Sequence, residues 1–165
     1  MSTPPRRMVT FDDGGRRFTV RVAGVAIREE HLLVHRAEAD DFWVLPGGRM
    51  ELGEPTTATM AREMLEELGV DPVIGDLLWT VENFFELSDK ACHELAFYYA
   101  MELPAAFPFA REGIVHRVED GGARLEFRWV ELRREVLAGL PLLPAFLQQR
   151  LCEPPVAPRH LVWYG

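Results

Sequence analysis

Between Glu54 and Pro72 the chain is punctuated as a short helix, and few other local structures suit it. Pro55 fits a first helical position, where a missing N–H costs nothing. Gly69 fits the position just past a helix end, and Pro72 blocks any continuation. Between them, Ala61, Met64, Leu65 and Leu68 recur at i, i+3, i+4 and i+7, the spacing of one apolar stripe. At about 100° per residue, Glu63, Glu66 and Glu67 then fall on the opposite side within an arc roughly 100° wide, with Arg62 at its edge.

Such an arc is unfavourable by itself. Glu63 and Glu67 form a like-charge i, i+4 pair, which costs a few tenths of a kcal/mol, and Arg62 can offset only one acid. An ordinary acidic helix face is solvated and needs no further partner. Here the carboxylates gather without imidazole or thiolate, a hard oxygen set that suits magnesium or manganese. Pro46-Gly47-Gly48 precedes the helix, and its glycines permit a close backbone approach that a side chain would block.

A chain of 165 residues suffices for one well-packed domain. A net charge of −8 argues against a broad nucleic-acid or anionic-membrane surface. It leaves room for a phosphorylated substrate, because a bound divalent ion inverts the local field. Cys92 and Cys152 imply neither a metal-spaced pair nor a disulfide framework. The N-terminus has basic residues without an apolar segment behind them, and no run reaches transmembrane length, so a cytoplasmic location is expected.

Residues 1–15 read as a polar, loosely ordered lead-in. Strands are predicted over Phe18–Ile27 and His31–His35, as a hairpin, with a short apolar run at Phe42–Leu45. After the helix, Val73–Leu87 and His93–Leu103 read as long strands joined at Ser88-Asp89-Lys90. Ile114–Val118 and Arg124–Val130 suggest a hairpin across Asp120-Gly121-Gly122. Glu131–Ala138 and Pro144–Leu151 read as helical, and residues 153–165, with three prolines, as a tail wrapping the surface. Strands, one marked helix, more strands and then helices make an α+β layered fold.

Written as a spacing, Gly48 to Val70 is G, five residues, E, seven residues, then R-E-M-L-E-E-L-G-V. This satisfies every fixed position of the Nudix box, with a chance match on the order of one in a hundred million per starting point. The chain therefore resembles the Nudix hydrolase superfamily, and WVLPGG before the box and LEFRWVEL after it extend the likeness. The resemblance implies an α/β/α sandwich, a mixed β-sheet between helices, over 1–165. It implies hydrolysis of a pyrophosphate in a nucleoside diphosphate linked to another moiety, by metal-activated water. Sugar nucleotides such as ADP-ribose, nucleoside triphosphates and dinucleoside polyphosphates all remain open as substrates. It also implies that Glu63, Glu66 and Glu67 bind Mg2+ or Mn2+, with the Gly47 carbonyl as a further ligand, and that Glu54 and Arg62 form an ion pair holding the loop to the helix. The general base is Glu63 or a later acid among Glu112, Glu119, Asp120 and Glu126. Glu119 is preferred because it precedes a predicted turn.

Substrate contacts are expected from Arg21 and Arg36, as guanidinium forks on phosphate, and from Trp43 and Phe84, as rings for a base. Glu94 joins them, because it shares a strand face with the small residues Ala96 and Ala100. Partners are a small nucleotide and, as often in the family, a second copy in a homodimer; no nucleic acid or membrane is expected. The competing reading is a Nudix-fold nucleotide sensor without turnover.

Overall fold

The computed structural model describes residues 6–165. Its strands are β1 (Thr10–Asp13), β2 (Arg16–Arg28), β3 (His31–Ala37), β4 (Gly47–Arg49), β5 (Val73–Leu87), β6 (Lys90–Glu102), β7 (His116–Asp120), β8 (Ala123–Glu131) and β9 (Arg159–Tyr164). Three helices accompany them, α1 (Thr56–Leu68), α2 (Arg134–Gly139) and α3 (Phe146–Arg150). The sheet runs β7-β8-β3-β2-β6-β5-β9, with β1 and β4 also paired to β2. Pairs β2–β6 and β5–β9 are parallel and the rest antiparallel, so the sheet is mixed.

The turns form where residues tolerate left-handed backbone. Glu29 and Glu30 turn β2 into β3, Ser88 and Asp89 turn β5 into β6, and Gly121 and Gly122 turn β7 into β8, all at positive φ. The β2–β3 pairing lasts only from Ile27↔Leu32 to Arg28↔His31, after which the strands part. Into that split runs the segment after β3. Val44 bridges His35 on one side and Gly47 pairs with Ala23 on the other.

Each sheet face has its own core, as expected for helices on both sides. On one, Met60, Met64 and Leu68 of α1 pack against Val22, Ala26, Leu33 and Phe127. On the other, Leu137, Phe146 and Leu147 of α2 and α3 pack against Val25, Trp79, Val81 and Tyr98. Cys92 and Cys152 are free thiols. No helix among the described residues is long and apolar enough to cross a membrane.

Several expectations are corrected. Residues 1–5 of the lead-in lie outside the described residues, but Thr10–Asp13 pairs with β2 as a strand. The C-terminal tail does more than wrap the surface: Arg159–Tyr164 lies parallel to β5 as the sheet's edge strand. Phe42–Leu45 contributes only single bridges, and the strand beside it is β4. Pro55 stands one position earlier than expected, as the N-cap in extended conformation (ψ 151°), while Gly69 takes the left-handed C-cap (φ 68°).

The largest correction concerns the α1 stripe. Leu65 is 61% exposed, whereas Glu63 and Glu67 are buried. The inward side is two adjacent rows, Met60-Met64-Leu68 and Thr59-Glu63-Glu67. The helix is turned so that two of its carboxylates border the core.

Candidate functional site

Burial of Glu63 and Glu67 follows from what lies beneath α1. Gly48, in β4, sits directly under Glu63: a Cβ there would come within 2.1 Å of the Glu63 carboxyl carbon and 2.2 Å of Oε2. Gly47, at φ 151°, presses against β2, where a Cβ would meet the Val22 carbonyl at 2.0 Å. Both positions therefore demand glycine, Gly48 to admit a carboxylate and Gly47 to let two backbones touch.

Arg62 organises the loop before the helix. Its Nε donates to Glu54 Oε1 at 2.8 Å, Nη2 to Glu54 Oε2 at 3.0 Å, and Nη2 also to the Arg49 carbonyl at 3.1 Å. Glu54 Oε2 accepts from the Thr59 hydroxyl and the Glu51 amide as well. Those donors, Arg62 first, hold the Glu54 carboxyl down at about 2. Arg62 Nη1 also donates to Glu63 Oε1 at 2.6 Å. Even so, burial outweighs that bond and pushes Glu63 above the usual carboxylate range.

Glu67 is the most perturbed acid of the ridge. It is 4% exposed and its Oε2 is buried with no hydrogen-bond partner among the described residues. Burial pushes it up to about 8; the Arg21 charge opposes this, and Glu63, Asp120 and Glu66 add to it. Glu66 is half-exposed and pairs with Arg6 at 2.9 Å and with Arg62 at 3.5 Å. Arg6 also pairs with Glu51. Among the described residues no three acidic, histidine or cysteine side chains converge tightly enough to hold an ion as they stand. The oxygens of Glu63 and Glu66 are engaged by Arg62 and Arg6 instead. The donor set nonetheless fits a hard cation, because it offers an orphaned buried carboxylate oxygen beside a second carboxylate cradled by a glycine.

The later acids sort by strand face. In β7, His116 Nε2 bonds the Glu67 carbonyl at 2.8 Å and Val118 packs on the α1 core, so Asp120 follows on the same face. Glu119 shares the other face with Arg117, which pairs with Glu38 and Glu126. Glu126 is buried and its carboxylate accepts from Arg36 Nε at 2.9 Å. Glu112 lies exposed in the loop before β7. Of the four acids, Asp120 is the one whose charge reaches Glu67.

A cavity of about 1320 Å³ opens on the sheet face away from α1, with Arg21, Asn83, Phe84, Glu94, Tyr98 and Trp163 in its wall. Arg21 joins it to the ridge. Its Nη2 donates to the Leu45 and Gly47 carbonyls at 3.3 and 3.4 Å, and its charge acts on Glu63 and Glu67. Phe84 stacks between His93 (4.4 Å) and Tyr164 (5.1 Å), so both its faces are covered. Trp43 and Arg36 stand outside the cavity. Trp43 is buried with Arg36 and Arg128 over its ring at 4.6 and 4.2 Å, and Arg36 is taken by Glu126. Tyr98 lies in the wall on the strand face of Glu94, Ala96 and Ala100, whereas Asn83 is a wall residue that the sequence did not single out. The signal for Asn83 was a lone amide in the strand run WTVENFF.

Comparison with known proteins bears on the family and the fold. A model of the NUDIX domain matches residues 17–142. Diphosphoinositol polyphosphate phosphohydrolase 2 of Mus musculus is 37% identical over 87 residues, which cover 50% of this chain and 48% of that protein. The chain thus spans about half the length of the curated relatives it matches. Among solved structures, a NUDIX hydrolase from Nitrosomonas europaea superposes with a TM-score of 0.57 at 20% identity, covering 79% of this chain and 85% of that one. An ADP-ribose pyrophosphatase from Streptococcus suis gives 0.55 at 11% identity, covering 88% and 98%. Both share the fold. With the box complete and the family model spanning most of the chain, the protein belongs to the Nudix hydrolase superfamily.

Proposed function

We propose that this chain hydrolyses a phosphoanhydride bond in a nucleoside diphosphate linked to another moiety, with a divalent cation as cofactor. The observation that carries the reading is Glu67: a carboxyl on the inward side of α1, one oxygen unpartnered among the described residues, beside Glu63 in the Gly48 cradle. Burying such a group unpaired costs free energy, which protonation offsets in part and a bound cation would offset further.

Glu63, Glu66, Glu67 and the Gly47 carbonyl would hold Mg2+ or Mn2+. When bound, the ion neutralises charge on phosphoryl oxygens and lowers the pKa of water. The chain's own groups do the rest. Arg62 keeps the β4–α1 loop in register through Glu54. Arg21 offers positive charge where cavity and ridge meet. Proton removal from the attacking water falls to an acid facing the ridge, and on β7 that is Asp120, in preference to Glu119.

The cavity supports a nucleotide over an inositol polyphosphate, the compound class named in the mouse relative. A ring carrying many phosphates needs many cations around it, and this wall is mostly aromatic and apolar, its arginines Arg16 and Arg21 matched by the acids Glu86 and Glu94. The test is a panel of nucleoside triphosphates, nucleoside diphosphate sugars and inositol pyrophosphates, each with Mg2+ or Mn2+, followed by phosphate release. Turnover of nucleotides that EDTA and Glu67→Gln both abolish supports the proposal. Nucleotide binding with no products from any compound favours a sensor, and turnover of inositol pyrophosphates alone contradicts the substrate class.

A further inference from the structure

This inference rests on the nucleotide reading and concerns the part of the ligand that does not react. Registers across the edge of the sheet set Trp163, Asn83 and Glu94 side by side, Asn83 being directly opposite both of the others. All three line the cavity. Asn83 is 5% exposed, and Glu94 is half-buried. Four residues along, Tyr98 stands buried on the same face of β6, where burial first and then the Glu94 charge raise its hydroxyl's pKa. Of the wall's two arginines, Arg16 and Arg21, Arg21 gives its guanidinium to the Leu45 and Gly47 carbonyls, and among the described residues Glu94 forms no ion pair.

A free carboxylate is out of place in a cavity that serves a polyanion, unless it meets a part of the ligand that donates hydrogen bonds. Side chains directly opposite on antiparallel strands have Cβ atoms about 4.5–5.5 Å apart. One planar edge can therefore reach both. A carboxylate accepts two parallel N–H bonds, and a carboxamide donates beside it. The complementary edge carries two adjacent N–H groups next to a carbonyl, and among the common bases only guanine has it, with N1–H, N2–H and O6. Hypoxanthine lacks the exocyclic amine, and adenine presents no carbonyl and one amino group. Trp163 adds a flat apolar surface beside the polar pair.

We propose that Asn83 and Glu94 form a specificity-determining pair that reads guanine, Glu94 accepting N1–H and N2–H and Asn83 donating to O6. Titration calorimetry of the whole chain with GMP, IMP and AMP, without metal, tests this apart from turnover. GMP binds about tenfold tighter than IMP, and IMP tighter than AMP, because each step removes a hydrogen bond to the pair. Glu94→Gln weakens GMP about 10–100-fold, erases the preference for GMP over IMP and leaves AMP unchanged. Asn83→Ala weakens GMP and IMP alike. Equal wild-type affinities for the three, or no binding of any of them, overturn the assignment. So does an equal loss for all three in Glu94→Gln, which would place Glu94 on the ribose they share. Guanine discrimination without turnover of any nucleotide would instead break the hydrolase reading and keep this one.

Discussion

Two buried glutamates show how differently the two halves of this sheet use charge. Glu126 on β8 lies beneath the surface with its carboxylate held by Arg36 and approached by Arg117. Arg36 and Arg128 in turn bracket the Trp43 ring, so the cluster is closed on itself. Glu67 on α1 is as deeply buried, but one oxygen has no partner among the described residues, and the other acids of its helix face crowd it. A satisfied buried acid is a structural device; an unsatisfied one stores free energy that a bound cation can release.

The largest expected effect contrasts these two directly. Glu67→Gln lowers nucleotide turnover by at least about 10²-fold, with the fold intact by circular dichroism. Glu126→Gln leaves turnover within about twofold and lowers stability by about 1–3 kcal/mol in urea unfolding, because Arg36 loses its charged acceptor. Equal losses of activity in the two variants would erase the distinction.

Gly47 and Gly48 sharpen the same contrast within one strand. At Gly48 an added methyl meets the end of a flexible side chain, so Gly48→Ala displaces the Glu63 carboxylate and costs activity, about 10–10²-fold, with little change in Tm. At Gly47 it meets the Val22 carbonyl and the Ala23 Cα at a left-handed φ, so Gly47→Ala destabilises by about 2 kcal/mol or more. Thermal melts and kcat on the pair separate site from scaffold.

A pH effect follows from the raised Glu67. Burial pushes it up to about 8, above the ordinary glutamate value of 4.5, so the native state holds this proton more tightly than the unfolded chain. The contribution to stability is fully present below about pH 4.5 and is lost as pH rises through about 8. Metal-free protein therefore melts at lower temperature at pH 9 than at pH 6.5, and Glu67→Gln flattens that slope. The smallest effect separates the β7 acids: Asp120→Asn slows turnover by about tenfold or more, and Glu119→Gln leaves it unchanged.

Much of this was legible in the chain. The α1 boundary needed only Gly69 and the residues of the box, and the strand pairs needed only alternation interrupted by Ser88-Asp89 and Gly121-Gly122. Which side of α1 faces inward was not legible. Leu65 made a good apolar stripe with Ala61, and nothing local says that Gly48 vacates room for a carboxylate. The edge strand β9 hid behind the prolines at 154, 155 and 158, although HLVWY carries the composition of a strand. Trp43 looked available for stacking because the arginines that cover it come from strands ninety or so residues apart, Arg36 on β3 and Arg128 on β8.

The most direct test is a Mn2+ titration near pH 7, followed by electron paramagnetic resonance and, in weak buffer, by proton release. The expected result is a bound ion whose uptake frees a proton from Glu67, with both signals lost in Glu67→Gln and retained in Glu126→Gln. Mn2+ that stays free in the wild type, or binds equally well to Glu67→Gln, would contradict it.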